Sequence, residues 1–269
     1  MTPMTTRGRA VQVAAVAATL AVILVAATAS SSATWVRTTH EGSATPTTTA
    51  SRAPAVIGSE RIGTSVRGRA IRAYHLGDPE AAETAVVLGS MHGNEPAGMH
   101  VVGSLRQGRP VVGVDLWVIP TMNPDGVARN SRANARGVDL NRNFRHNWAP
   151  LTGSHYSGPR PLSEPESRAL VRFLNHVSPT YVVSFHQPLH GVGRDNERRP
   201  FQRRLARGLG LAIKAFNCEG ECHGTMTSWY NARHRGTAIT VEFGPSPRGT
   251  YLRGRATRGT LSAVLGSRA

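Results

Sequence analysis

The chain has 269 residues, 39% of them hydrophobic, a formal net charge of +16 and a sequence pI near 11.5. That hydrophobic share is enough for a packed core and excludes wholesale disorder, and two cysteines exclude both a disulfide-dense scaffold and a four-cysteine zinc module. Of the 32 basic residues only Lys214 is lysine, a bias that fits GC-rich codon usage; the arginines form no long run, so specific nucleic-acid binding is not expected and general affinity for polyanions is the milder reading.

Arg7 and Arg9 precede an uncharged run, 10–29, made mostly of Ala, Val, Leu and Ile and ending in Ala27-Thr28-Ala29. This reads as a signal peptide over 1–29 cleaved near Ser30. The run is also long enough to span a bilayer, so an uncleaved signal anchor is the alternative and the only route to a membrane. Either way the rest of the chain is exported, to be secreted or held in the cell envelope. Residues 30–53 are rich in Ser, Thr and Ala without apolar periodicity and read as a linker. Residues 54–269 read as one domain.

Within that domain, residues 85–89 form a short apolar strand with Met91-His92 at its end, and 96–105 has helical character. Residues 111–119 read as one strand running into Asn123-Pro124-Asp125-Gly126, a turn signal. Residues 127–161 read as a long ordered loop. A helix is expected from Ser163 to Val177, with Ser163 as its N-cap and Pro165 in its first turn. Tyr181 to Phe185 is a buried-type strand ending at His186, 201–215 is amphipathic, 238–243 is a strand carrying Glu242, and 255–265 is helical. Strands alternating with helices indicate an α/β domain, in which chemistry gathers at strand ends, and three strand ends carry His92, His186 and Glu242.

His92-Gly93-Asn94-Glu95 places an imidazole and a carboxylate three residues apart after a strand. Zn²⁺ accepts both ligand types, and two His with one Glu leave a fourth position for water. Alone, the spacing is equally compatible with a surface His beside a helix-starting Glu. His92 is nonetheless the only one of the eleven histidines with a Glu three residues on.

The wider pattern includes Asn123-Pro124-Asp125-Gly126, Arg132, the run Gly137-Val138-Asp139-Leu140-Asn141-Arg142-Asn143-Phe144, Ser184-Phe185-His186 and Thr240-Val241-Glu242-Phe243. Over about residues 80–245 it resembles the carboxypeptidase A-like zinc metallocarboxypeptidases, and within them the bacterial murein peptide amidases. The resemblance implies a mixed central sheet flanked by helices and one Zn²⁺ per chain held by His92, Glu95 and His186. It implies Asp139 as a carboxylate fixing a ligand imidazole. Glu242 would be the general base, Arg132 would hold the developing oxyanion, and Asn141 and Arg142 would grip a free substrate carboxylate. Arg129 and Arg136 compete with Arg132 for its role.

The segment between Cys218 and Glu242 is expected to build the substrate pocket. Around Met226, Thr227 and Ser228 it carries no acid, and no clean counterpart of the family's mobile Tyr is present, Tyr230 being the nearest. Cys218 and Cys222 in an exported chain suggest a local disulfide, a second metal site with His223 being the alternative. His190 and His223 are extra histidines that either orient substrate or pack locally. The expected activity is hydrolysis of an amide bond beside a carboxylate-bearing residue, in the D-glutamyl–diamino acid linkage of peptidoglycan stem peptides. The alternatives are a general metallocarboxypeptidase, an N-acyl amino acid deacylase, and a non-catalytic module binding cell wall or polyanions.

Overall fold

The computed structural model describes residues 54–217 and 222–269, which build a single α/β domain. The expected export segment, the linker and Cys218 lie outside the described residues. The strands in chain order are β1 (Val56–Thr64), β2 (Ala70–Gly77), β3 (Thr84–Leu88), β4 (Val111–Val112), β5 (Asp115–Ile119), β6 (Tyr181–His186), β7 (Gly191–Gly193), β8 (Ile213–Lys214), β9 (Thr237–Glu242) and β10 (Ser267–Arg268). Eight of them form one mixed sheet in the order β1-β2-β5-β3-β6-β9-β7-β8, while β4 and β10 pair separately. The middle four, β5, β3, β6 and β9, are parallel, and antiparallel strands flank them on both sides.

The parallel strands read as continuous apolar runs because both faces of the sheet are covered. Side chains alternate between two cores, as a period of two requires. Ala85, Val87, Val183, Phe185, Ile239 and Val241 face one core, with α1 (Ala97–Gln107), α4 (Arg199–Leu209) and the C-terminal helices. Val86, Leu88, Val182 and Ala238 face the other, with α3 (Pro165–Val177) and α5 (Met226–Arg233). The register places His186 beside Glu242 and Leu88 beside Ser184, so β3, β6 and β9 deliver their following residues to one edge.

The structure departs from the expected elements at several places. Residues 123–126 open a short helix, α2 (Pro124–Ala128), rather than a turn. The Asn123 side chain accepts from the Gly126 amide at 2.9 Å, and Pro124 fixes the first helical position. The strand expected over 111–119 is broken at Gly113, which has φ +81°. Ser163 does not cap α3. Its hydroxyl accepts from Asn143 Nδ2 and donates to Glu164 Oε1, and Glu164 occupies the cap position. The C-terminal helix starts earlier than expected, as α6 (Gly249–Tyr251), a π-helical turn (Leu252–Ala256) and α7 (Thr257–Ala263) in one run.

Phe173 on α3 is 3% exposed and packs edge-on against Trp117 of β5 at 5.5 Å between ring centroids. Truncating it leaves a cavity that the sheet cannot close. Phe173→Ala is expected to cost about 3–5 kcal/mol, lowering Tm by on the order of 10 °C in a domain of this size, measured by thermal unfolding.

Candidate active site

His92 and Glu95 follow β3 in a turn pressed against α2. A Cβ on Gly93 would lie 1.9 Å from the Gly126 carbonyl carbon, so only glycine lets the backbone approach this closely. His186 ends β6. The ligand atoms of His92, Glu95 and His186 lie within 4.8 Å of one another, and all three residues are buried.

Each imidazole is oriented from behind. His92 Nε2 meets Asp139 Oδ1 at 2.9 Å, which turns its Nδ1 toward Glu95 Oε1 at 2.9 Å and His186 Nδ1 at 3.3 Å. His186 Nε2 meets Ser184 Oγ at 3.1 Å, and its Nδ1 faces Glu95 Oε2 at 3.2 Å. Two imidazole nitrogens facing each other across a carboxylate are satisfied together by a cation between them. Three donors of these types are one short of the tetrahedral shell of Zn²⁺, so the residues fit a catalytic zinc site.

Asp139 is fully buried and saturated. Besides His92, it accepts from Arg132 Nε at 3.0 Å, Arg132 Nη2 at 2.8 Å and the Asn141 amide at 2.8 Å. Arg132 is thereby aimed so that Nη1 lies 3.2 Å from Glu95 Oε1. Burial opposes charge on each of these groups, but the neighbours outweigh it. The carboxylates of Asp139 and Glu95 hold the His92 pKa up at about 9. The His92 and His186 imidazoles keep Glu95 well below the usual carboxylate range, and His92, Arg132 and Arg142 do the same for Asp139. Glu242 differs. Burial pushes its carboxyl above the ordinary value, against the pull of His186, and the Leu189 amide holds its Oε2 at 3.3 Å.

His92, Glu95, Arg132, His186 and Glu242 line a cavity of about 600 Å³ that also includes Asn141, Arg142, Thr227 and Ser228. Of the three arginines Arg132 lines it, whereas Arg129 donates to the Asn134 carbonyl and Arg136 pairs with Glu164. Tyr230 does not reach the cavity. It is buried, donates to the Pro179 carbonyl and stacks on His234 at 4.3 Å, and so belongs to the core. His190 and His223 are also outside the lining, His223 bonding the Asn147 carbonyl, while His146 and His155 take places at the wall.

The sequence reading missed one wall residue of consequence. The segment around Met226 to Ser228 has no acid, but Asp195, from the loop after β7, lines the same cavity beside Arg194. Asn231 on α5 donates to Asp195 Oδ2 at 3.3 Å and ties it to the helix that carries Thr227 and Ser228. Locally, Asp195 Oδ1 accepts from the Glu197 and Arg198 amides at 2.9 and 3.0 Å, and Arg198 Nη1 lies 3.7 Å from Oδ2. That turn chemistry is legible in the sequence, whereas its place on the cavity wall comes from the fold.

The sequence profile of the zinc carboxypeptidase family matches residues 45–191, more than half of the chain. The chain belongs to the zinc carboxypeptidase family. As a member of that family it is a hydrolase. Among relatives of this zinc carboxypeptidase, murein peptide amidase A of Escherichia coli K12 is 30% identical over 203 residues, covering 70% of this chain and 82% of the relative. The protein of that name from Vibrio campbellii is 32% identical over 214 residues, covering 72% and 82%. The crystal structure of the murein-tripeptide amidase of Escherichia coli O157 superposes with a TM-score of 0.63 at 29% identity, over 74% of this chain and 90% of that one. The family match ends before Asp195 and Glu242, whose places come from the fold.

Asp139→Asn keeps the shape but weakens the hold on His92 and Arg132. Zinc affinity is expected to fall about 10–100-fold, as read by competition with a chromogenic chelator.

Proposed function

We propose that this protein is an exported amidase that hydrolyses the bond between D-glutamate and the diamino acid of peptidoglycan stem peptides. The observation that carries the reading is the charge pattern of the cavity. Arg142 and Asn141 lie on one stretch of wall, and Arg194 with Asp195 on another. A diamino acid at the end of a peptide carries a backbone carboxylate and a distal ammonium; in a diaminopimelate type a second carboxylate sits beside that ammonium. Arg142 is suited to the first by its planar fork, Asp195 to the ammonium and Arg194 to the second carboxylate. The likeness to murein peptide amidases and the signal-like segment 1–29 support the same reading. A Cys218–Cys222 disulfide would clamp the rim of the cavity, where Cys222 sits.

When bound by His92, Glu95 and His186, zinc supplies Lewis acidity toward the scissile carbonyl and lowers the pKa of water toward neutrality. Glu242 takes the proton of the attacking water and returns it to the leaving nitrogen. Its raised pKa makes it a better base than a surface carboxylate. Arg132, with two nitrogens fixed on Asp139, presents Nη1 to the negative charge that develops on the carbonyl oxygen. Asn141 accepts from the Met226 amide at 3.0 Å through its oxygen, which leaves its NH₂ to donate to the substrate carboxylate.

Glu242→Gln is expected to lower kcat by about 10²–10⁴ while zinc still binds. Full turnover in this variant, or in excess chelator, would sink the mechanism. The base acts only when ionised, so activity falls as pH drops through the Glu242 pKa. The acid limb of kcat/KM is expected above the ordinary 4.5. Asp195→Asn is expected to raise KM for a stem tripeptide at least about tenfold, the loss of one charge-assisted contact, with little change for a peptide ending in a neutral residue. Equal cleavage of ordinary and stem peptides by the parent protein would favour a general carboxypeptidase instead.

A further inference from the structure

The net charge is concentrated in two segments. Residues 199–217 and 243–269 hold ten of the 32 basic residues and none of the 16 acids, while the remaining chain carries 22 basic and 16 acidic residues. Ten of the sixteen net charges therefore come from two stretches that are separate in sequence.

The fold packs these stretches together. Helix α4 lies antiparallel to the C-terminal helical run. Tyr251 donates to the Leu209 carbonyl at 3.0 Å at one end, and Arg204 Nε to the Ala263 carbonyl at 2.8 Å at the other. Between them the backbones touch at Gly208 and Gly259, where a Cβ on Gly259 would lie 2.4 Å from the Gly208 carbonyl. Phe201, Leu205 and Leu209 of one helix and Leu252, Ala256 and Leu261 of the other face the core, which leaves Arg203, Arg207, Arg255 and Arg258 exposed on the outer side. Arg255 crosses between the helices, donating to the Arg207 and Gly208 carbonyls at 3.2 and 3.3 Å. None of these four makes an ion pair among the described residues.

We infer that this two-helix face is a docking surface for a linear phosphodiester polymer of the polyol-phosphate type. Arg199, Arg203 and Arg207 recur every four residues on α4, a spacing of about 6 Å along the axis, so the cations form a regular ladder. A chain with an anion at each repeat matches a ladder better than a single ion does. Arginine suits phosphate through its planar fork. The exposed large apolar residues of the described chain are Ile57, Val112, Tyr156, Leu189 and Leu265, none of them on α4 or on residues 249–263. The face thus offers no wedge for a bilayer and no aromatic platform for stacking bases. Arg203, Arg207, Arg255 and Arg258 are not among the residues lining the cavity, so substitutions there are expected to leave hydrolysis of a short peptide unchanged.

The test uses the full chain and poly(glycerol phosphate), with binding followed by fluorescence anisotropy from 50 to 300 mM salt. The parent is expected to bind, with affinity falling steeply as salt rises. Removing three charges in R203Q/R207Q/R258Q is expected to flatten the slope of log K against log salt by about 2, the single-strand value of ~0.7 per contact. Thermal unfolding and hydrolysis of a short peptide are expected to match the parent. A control with the same net charge, R72Q/R160Q/R172Q, is expected to keep the parent slope. Three results overturn the inference: no binding by the parent at low salt, equal loss in the control, or capture of phosphatidylglycerol vesicles without binding of the polymer.

Discussion

The site is organised by one buried carboxylate. Asp139 holds His92 Nε2, two nitrogens of Arg132 and the Asn141 amide at once, and nothing of it reaches solvent. It fixes which nitrogen of His92 faces Glu95 and His186, it directs Arg132, and it anchors the turn that presents Asn141 and Arg142. A carboxylate in such surroundings stays ionised because four donors replace water. Its loss would leave a buried imidazole and a guanidinium competing for the remaining acid.

The sheet supplies the rest of the geometry. Three parallel strands end at one edge, so residues more than ninety positions apart, such as His92 and His186, meet without long side-chain excursions. The hydrogen-bond ladder between β6 and β9 pairs His186 with Glu242 and so sets the distance between the two, while the two cores hold the sheet from opposite faces. The turn bearing His92 and Glu95 is tied down again by Gln187, whose amide donates to Glu95 Oε2 and whose side-chain oxygen accepts from the Ala97 amide.

Much of this could be read from residues alone because it is local. His92, His186 and Glu242 each end an apolar run, and Asp139 to Phe144 form an unbroken motif. Other parts were hidden for physical reasons. β1 lies at the sheet edge with Glu60 and Arg61 in the middle of it and has Ile62 as its only buried residue, so no alternation announces it. Asn123 and Ser163 are residues that favour turns and caps alike, and their partners, Gly126 in one case and Asn143 in the other, decided which they made. Asp195 and the arginines of the two outer helices acquire meaning only from neighbours far away in the chain. Scattered charge in the sequence became a face in the fold.

Asn231 binds two things at once. Its side chain holds Asp195 Oδ2 at 3.3 Å, and it clasps both the amide and the carbonyl of Ala238, at 2.7 and 3.0 Å, on the strand that ends in Glu242. The acid that would choose the substrate and the strand that bears the candidate base therefore share one support. If Asp195 selects the substrate and Glu242 is the base, a change that frees Asp195 from Asn231 would also loosen the strand that carries Glu242.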